Sequence, residues 1–332
     1  LPMKRAIEIA PVYEAKELAE VLAELPQDSC IFLVDEVFRS RWNLQKALYC
    51  KAGESLKQVT TFAELMPKII ELSAGIGKKD LNIVAIGGGS IGDFAGFVAS
   101  TLKRGVRLIQ IPTTWLAAVD SAHGGKTALN CGAYKNQIGS FHQAEKIYLV
   151  KDLLAEQPQN LLEDAYAEIL KMAFLKEPQI LEQVDDIWSI LPQAIQAKYN
   201  YVLRDPFEDS GLRTELNLGH TYAHVLELEH QLSHGKAVGQ GLHFAIAWSA
   251  AKGYLKNESA PQLQTILNDN YHPWMGLKIP AQNFLANLLQ DKKMQKDKQL
   301  RFVFLEDLGK ARVENVAAEE MLEFAKEWQC LC

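Results

Sequence analysis

LNIVAIGGGSIGDFAGFVAS, residues 81–100, joins an unbroken apolar run to a cluster of glycines and then to a stretch of small and apolar residues. A short β-type run with no polar alternation predicts a strand buried on both faces. The glycines predict a tight turn, and the small and apolar residues after them predict a helix. Strand, turn and helix in that order form the unit of a parallel α/β sheet. The same rhythm extends outward through CIFLVDE (30–36), a helical pattern near 59–76, a helix from about 92 to 104, VRLIQIPTT (106–114) and KIYLVKD (146–152). Beyond about residue 160 a 3.6-residue period takes over, in LLEDAYAEILKMAFL (161–175), IWSILPQAIQAKYNYVL (187–203) and AVGQGLHFAIAWSAAKGYL (237–255). One β-type piece, LRFVFLE (300–306), interrupts it. The expected fold is an α/β domain with a mostly parallel sheet over 1–158 and a mostly α-helical domain over 159–332. The change of period and QPQN (157–160) set the boundary.

Gly87, Gly89 and Gly92 have GxGxxG spacing between strand and helix. Such a turn lets a pyrophosphate approach the backbone and meet the N–H groups of the helix N-terminus, so a nicotinamide dinucleotide is the expected ligand. The acid that usually comes about 20 residues later is missing, because the next strand ends in IPTT. The fold would therefore be a non-standard version, and a purely structural turn is the alternative. The stretch VDSAHGGKTALNCGAYKNQIGSF (119–141) has turn residues throughout and carries Asp120, Lys126, Lys135 and Asn136. Lysines among glycines suit an anionic, hydroxylated substrate. A solvated loop is the alternative.

A formal net charge of -6 and no long Lys/Arg block argue against nucleic acid or anionic membrane as partners. No apolar run approaches the ~18 residues of a membrane span, and the opening residues carry no signal-type apolar stretch. The expectation is a cytoplasmic enzyme acting on a small molecule. The five scattered cysteines, without CxxC spacing, fit reduced thiols.

Four of the eight histidines fall within NLGHTYAHVLELEHQLSHGKAVG (217–239). On one helix over 214–232, His220, His224 and Glu227 share a face at i, i+4 and i+7, while His230 falls off it and reads as helix surface. In an unbroken helix His234 would lie roughly 21 Å from His220, so Ser233-His234-Gly235 must reverse the chain if the two are to share an ion. A catalytic zinc typically takes three protein ligands, so a carboxylate is sought elsewhere in the chain. Glu168 in AYAEILKMAFL is a candidate, on a face that the apolar pattern would bury, with Lys171 at i+3. The alternatives are a surface ion pair and hydrogen-bonded core histidines.

In chain order, GES (53–55), GGGSIGDFAGFVAST (87–101) with KRG (103–105), IPTT (111–114), AVDSAHGGKTALN (118–130), YKNQIGSF (134–141), AEILK (167–171), GLRTELNLGHTYAHVLE (211–227), HGKAV (234–238) and DKK (291–293) followed by LRFVF (300–304) resemble the motifs of the 3-dehydroquinate synthase family of sugar phosphate cyclases. The resemblance implies an NAD-binding half, a metal-binding half and a site in the cleft between them. It implies one divalent metal, zinc or cobalt, on Glu168, His220 and His234. Asp120, Lys126, Lys135, Asn136, Lys171, Arg213, Asn217 and His224 would line the substrate site, with Lys293 reaching the same substrate. Arg104 would reach the phosphate in the neighbouring subunit of a homodimer. Asp35, Glu54, Lys57, Gly88, Gly89, Asp93, Thr113 and Thr114 would contact NAD+, with Asp120, Lys126 and Lys135 beside them. The implied reaction turns 3-deoxy-D-arabino-heptulosonate 7-phosphate into 3-dehydroquinate and phosphate, a lyase step of the shikimate pathway, by transient oxidation, elimination, re-reduction and aldol closure.

The chain departs from the family pattern in places. HGKAV replaces the usual HGEAV, His123 stands where an aliphatic residue is usual, and DPFEDSG (205–211) is one residue longer than the corresponding run, which leaves Lys198 an approximate match for a substrate lysine. A DPFE run also occurs in relatives that cyclise sedoheptulose 7-phosphate. Arg213, however, suits a carboxylate that this sugar lacks. A metal-dependent polyol or glycerol phosphate dehydrogenase, releasing NADH, and a non-catalytic relative are the competing readings.

Overall fold

The computed structural model describes residues 8–132, 134–256, 258–289, 299–328 and 330–331. Lys293 lies outside them. The chain forms two compact units that divide between Leu162 and Glu163.

In the first unit the strands are β1 (Val12–Ala15), β2 (Cys30–Asp35), β3 (Ala47–Cys50), β4 (Asn82–Gly87), β5 (Arg107–Pro112), β6 (Lys126–Cys131), β7 (Tyr134–Phe141) and β8 (Lys146–Val150). The helices are α1 (Leu18–Glu24), α2 (Val59–Leu72), α3 (Gly89–Thr101) and α4 (Lys151–Ala155). Six strands form one sheet in the order β1-β8-β5-β4-β2-β3, and every pairing is parallel. β4 is buried along its whole length and β2 up to Asp35, which explains their uninterrupted apolar runs. Phe32, Val34, Val84, Ile86, Ile109 and Ile111 meet in the core on one side. On α3, Ile91, Phe94, Ala95 and Val98 are buried, and the helix contacts β4 and β5.

The chain runs from β2 out to β3, then returns past β2 to β4 and continues through β5 to β8. The direction of winding thus reverses between β2 and β4. In open parallel sheets that reversal marks the crevice where ligands bind. The stretch 119–141, read as loop, is more ordered than its composition indicates. A π-helical turn covers Ala117–Ser121, and β6 and β7 form an antiparallel hairpin with β7 largely exposed.

The second unit holds most of α5 (Gln159–Leu175), then α6 (Ile187–Arg204), α7 (His220–His230), α8 (His234–Ala251), α9 (Ser259–Asp269), α10 (Ala281–Leu289), the antiparallel pair β9 (Gln299–Asp307) and β10 (Lys310–Ala317), and α11 (Ala318–Glu327). α8 packs against α7, α9 and β9. The core is strongly aromatic, with Tyr222 stacked on Phe244 at 4.5 Å and Trp248 on Phe324 at 5.5 Å. The helix expected over 214–232 starts later, at His220. A 3-10 turn covers Leu212–Asn217, and Gly219 takes a left-handed φ of 79° before α7 begins. Among the described residues no helix is long and apolar enough to cross a membrane.

Candidate metal centre and nucleotide turn

Three helices of the second unit place one side chain each around a common point. Glu168 comes from the middle of α5, His220 from the first position of α7 and His234 from the first position of α8. Glu168 Oε1 lies 3.3 Å from His220 Nε2 and 3.4 Å from His234 Nε2, and one ligand atom from each residue falls within 4.8 Å of the others. Neighbouring ligands of a tetrahedral zinc, with bonds of about 2.0–2.1 Å, stand about 3.4 Å apart. His220 Nδ1 meets the Leu218 carbonyl at 3.1 Å, and His234 Nδ1 meets Glu227 Oε1 at 2.7 Å. A carbonyl and a carboxylate only accept, so Nδ1 carries the hydrogen in both rings. In the neutral rings both Nε2 lone pairs then face the Glu168 carboxylate. Glu168 is 1% exposed, and among the described residues neither of its oxygens has a well-aligned hydrogen bond, although Lys171 pairs with Oε2. These donors, one from each of three helices, fit a divalent metal.

The electrostatics agree. Burial pushes the Glu168 carboxyl up, but Lys171 and the two histidines outweigh it and hold the group well below the usual carboxylate range. His220 falls to about 4 through burial and the nearby Lys171 charge. At His234 burial acts downward, yet Glu168 and Glu227 carry it up to about 10, so a proton stands in for the cation. Metal uptake must displace that proton through the neutral range, so apparent affinity is expected to rise with pH. Glu227→Gln should weaken metal binding by about 10–100-fold, since it removes the carboxylate that orients His234. Metal titrations of the chelated protein across pH check both expectations.

Two close backbone contacts set the geometry. A Cβ on Gly235 would stand 2.2 Å from the Asp164 Cα and carbonyl oxygen of α5, and one on Gly241 would stand 2.0 Å from the Gly219 carbonyl oxygen. Asp164 also caps α8 from outside, accepting from Ser233 Oγ at 2.6 Å and from the Lys236 backbone N–H at 3.2 Å. The Lys236 side chain itself is exposed. The chain reversal demanded by the histidine spacing is therefore built from glycine contacts and a borrowed cap.

Around these ligands, Lys171 is buried, and His224 lies one turn along α7 with its ring 6.2 Å from that of His220. Arg213 is 2% exposed and its NH1 donates to the Pro206 carbonyl at 3.1 Å. The DPFEDSG loop folds around Asp205, which accepts from the Ser210 and Arg213 backbones at 3.0 and 3.1 Å. Asn217 ends the 3-10 turn before α7. His230, read as helix surface, is half-buried, and its shielded Nε2 has no hydrogen bond among the described residues. The buried Glu168–Lys171 pair likewise excludes the surface-pair alternative.

In the first unit the glycine turn leads directly into α3, whose N-terminus has no side-chain cap. A Cβ on Gly87 would stand 2.5 Å from Ile91 Cγ1, so the turn closes only with glycine there. Thr113 N–H donates to the Gly87 carbonyl at 3.0 Å, which places Thr113 and Thr114 beside the turn. Lys57, 5% exposed, donates to Asp93 Oδ2 and Asn136 Oδ1, both at 2.6 Å. Asn130 ties Glu54 (2.7 Å) to the Asn136 backbone (2.8 Å). Glu54, Lys57, Asp93 and Asn136 are thus brought into one polar network with the start of α3. Asp120 lies in the π-helical turn, whereas Lys126 and Lys135 are exposed on the hairpin.

An acid from upstream in the chain does stand level with the glycine turn. Asp35 ends β2, one residue beyond the Val34–Ile86 pair and level with the glycine turn. Burial raises its carboxyl above the ordinary value. A helix N-terminus flanked by this acid across the sheet reversal fits a dinucleotide.

Comparison with known proteins bears on the whole chain. The family model described as 3-dehydroquinate synthase N-terminal matches residues 47–164, and the one described as 3-dehydroquinate synthase C-terminal matches residues 165–294. A 3-dehydroquinate synthase of Zymomonas mobilis is 36% identical over 82% of this chain and 76% of its own length. The structure of 2-deoxy-scyllo-inosose synthase complexed with carbaglucose-6-phosphate, NAD+ and Co2+ superposes with a TM-score of 0.81 at 21% identity, covering 96% of this chain and 99% of that one. The 2-epi-5-epi-valiolone synthase of Streptomyces hygroscopicus, with NAD+ and Zn2+ bound, gives a TM-score of 0.81 at 21% identity over 99% and 98%. These two likenesses carry the fold, and the sequence relatives carry more: the chain belongs to the 3-dehydroquinate synthase family.

Proposed function

We propose that the chain catalyses the 3-dehydroquinate synthase reaction, releasing phosphate from 3-deoxy-D-arabino-heptulosonate 7-phosphate as a carbon–oxygen lyase of the shikimate pathway. The observation that carries the proposal is the convergence of Glu168, His220 and His234 in a member of this family. When bound there, a zinc or cobalt ion supplies Lewis acidity toward the substrate oxygens, and NAD+ supplies reversible hydride chemistry. Lys171 holds the Glu168 carboxylate in its ligand orientation. Lys126, Lys135, Arg213, Lys293 and His224 hold the substrate phosphate and carboxylate, and Asp120, Asn136 and Asn217 orient its hydroxyls. Asp35, Glu54, Lys57, Gly88, Gly89, Asp93, Thr113 and Thr114 hold NAD+, with the pyrophosphate at the α3 N-terminus. The enzyme works as a homodimer in which Arg104 reaches the phosphate of the neighbouring site. It acts in the cytoplasm, where unpaired thiols such as Cys30, Cys50, Cys131 and Cys330 are the norm.

The purified protein, with NAD+ and zinc or cobalt, is expected to release inorganic phosphate from the heptulosonate phosphate without accumulating NADH. Net NADH would select a dehydrogenase instead. A second reading, cyclisation of sedoheptulose 7-phosphate, draws on the DPFEDSG loop, which brings Glu208 to 3.6 Å from Arg213 Nε. Turnover of that sugar alone would replace the dehydroquinate assignment.

A further inference from the structure

The turn after α3 is strained. Lys103, Arg104 and Gly105 have φ values of 50°, 63° and 103° in succession. Glycine adopts such angles freely, but two consecutive side-chain-bearing residues keep them only where their surroundings enforce them. Two lysines supply that enforcement. Lys103 Nζ donates to the carbonyls of Ser73 (3.3 Å), which also accepts from the Ile76 N–H at 3.2 Å, and of Ile76, both just past the end of α2. Lys78, from the same α2–β4 connection, donates through Nζ to the Arg104 carbonyl at 3.0 Å. The turn is therefore tied at its backbone and by one side chain. Arg104 remains exposed, and among the described residues its guanidinium forms no ion pair. A cation held on a strained turn, with no acid against it, is presented to an anion outside its own fold.

We infer that Lys103 and Lys78 are positioning residues, which lock the KRG turn in the conformation that lets Arg104 engage a substrate phosphate. The inference rests on the role proposed above for Arg104, and a double-mutant cycle on the full-length enzyme separates the two. Arg104→Ala is expected to raise KM for the heptulosonate phosphate by about tenfold or more, the scale of one charged hydrogen bond. Lys103→Met should reproduce most of that rise with metal content and KM for NAD+ unchanged, and Lys103→Arg should restore it. On the Arg104→Ala background, Lys103→Met should add nothing. A further, multiplicative loss on that background, or an unchanged KM in Lys103→Met, overturns the positioning role. An unchanged KM in Arg104→Ala overturns the role of Arg104 and the inference with it. Should Lys103→Met fail to fold, Lys78→Met, which removes only the bond to the Arg104 carbonyl, enters the same cycle with the same readings.

Discussion

His234→Ala is expected to leave the protein without stoichiometric metal and to lower phosphate release by at least ~10³-fold, the equivalent of several kcal/mol of lost Lewis acidity. His234 contributes one of three converging donor atoms, and its other nitrogen is fixed by Glu227. Its removal leaves the buried Glu168 carboxylate with one histidine, too few ligands for a catalytic site of this kind. His230→Ala is the control. His230 lies ten residues, roughly 15 Å, along α7 from His220, and its shielded Nε2 makes no hydrogen bond among the described residues. Its alanine variant should keep both metal and activity. Metal analysis of the two purified variants decides the matter, and loss of metal from His230→Ala would sink the assignment of ligands.

Gly235→Ala should have nearly as large an effect without touching a ligand. A methyl group at that position would stand 2.2 Å from the Asp164 backbone, well inside van der Waals contact, and neither helix backbone yields cheaply. Overpacking of this kind costs about 1–3 kcal/mol in stability. Relief requires α8 to withdraw from α5, and His234, one residue earlier, moves away from Glu168. The expected result is a folded protein with a lower melting temperature and metal affinity reduced by at least tenfold. Gly235→Ala with wild-type metal affinity would show that the contact does not set the ligand geometry.

How legible each segment is in the sequence depends on where it lies in the fold. β2, β4, β5 and β8 are legible because burial on both sides of the sheet leaves them mostly apolar. β1, with VYEA, and β7, with YKNQIGSF, carry polar and exposed residues and look like loop. β10, KARVENVA, is mostly exposed for the same reason. In the second unit, Glu168 betrays itself as a charge on an apolar helix face, and the spacing of His220 and His234 demands a reversal. Glu227 also lies on the histidine face, but its bond to His234 depends on the path of the chain after the reversal. Asp164 caps a helix from another element, which no local pattern encodes. Asp35 comes level with the glycine turn because its strand is adjacent in space, although earlier in the chain.

That sheet order also bears on how the protein is made. Among the described residues β1 pairs only with β8, Val12 opposite Ile147. During synthesis at roughly 5–20 residues per second, β1 waits on the order of ten seconds before its partner emerges from the ribosome. β2, β3, β4 and β5 have one another's edges available well before then. The nascent sheet therefore assembles around the glycine turn first and gains β8 and β1 last, so β1, made before the other strands of this sheet, is among the latest of them to pair.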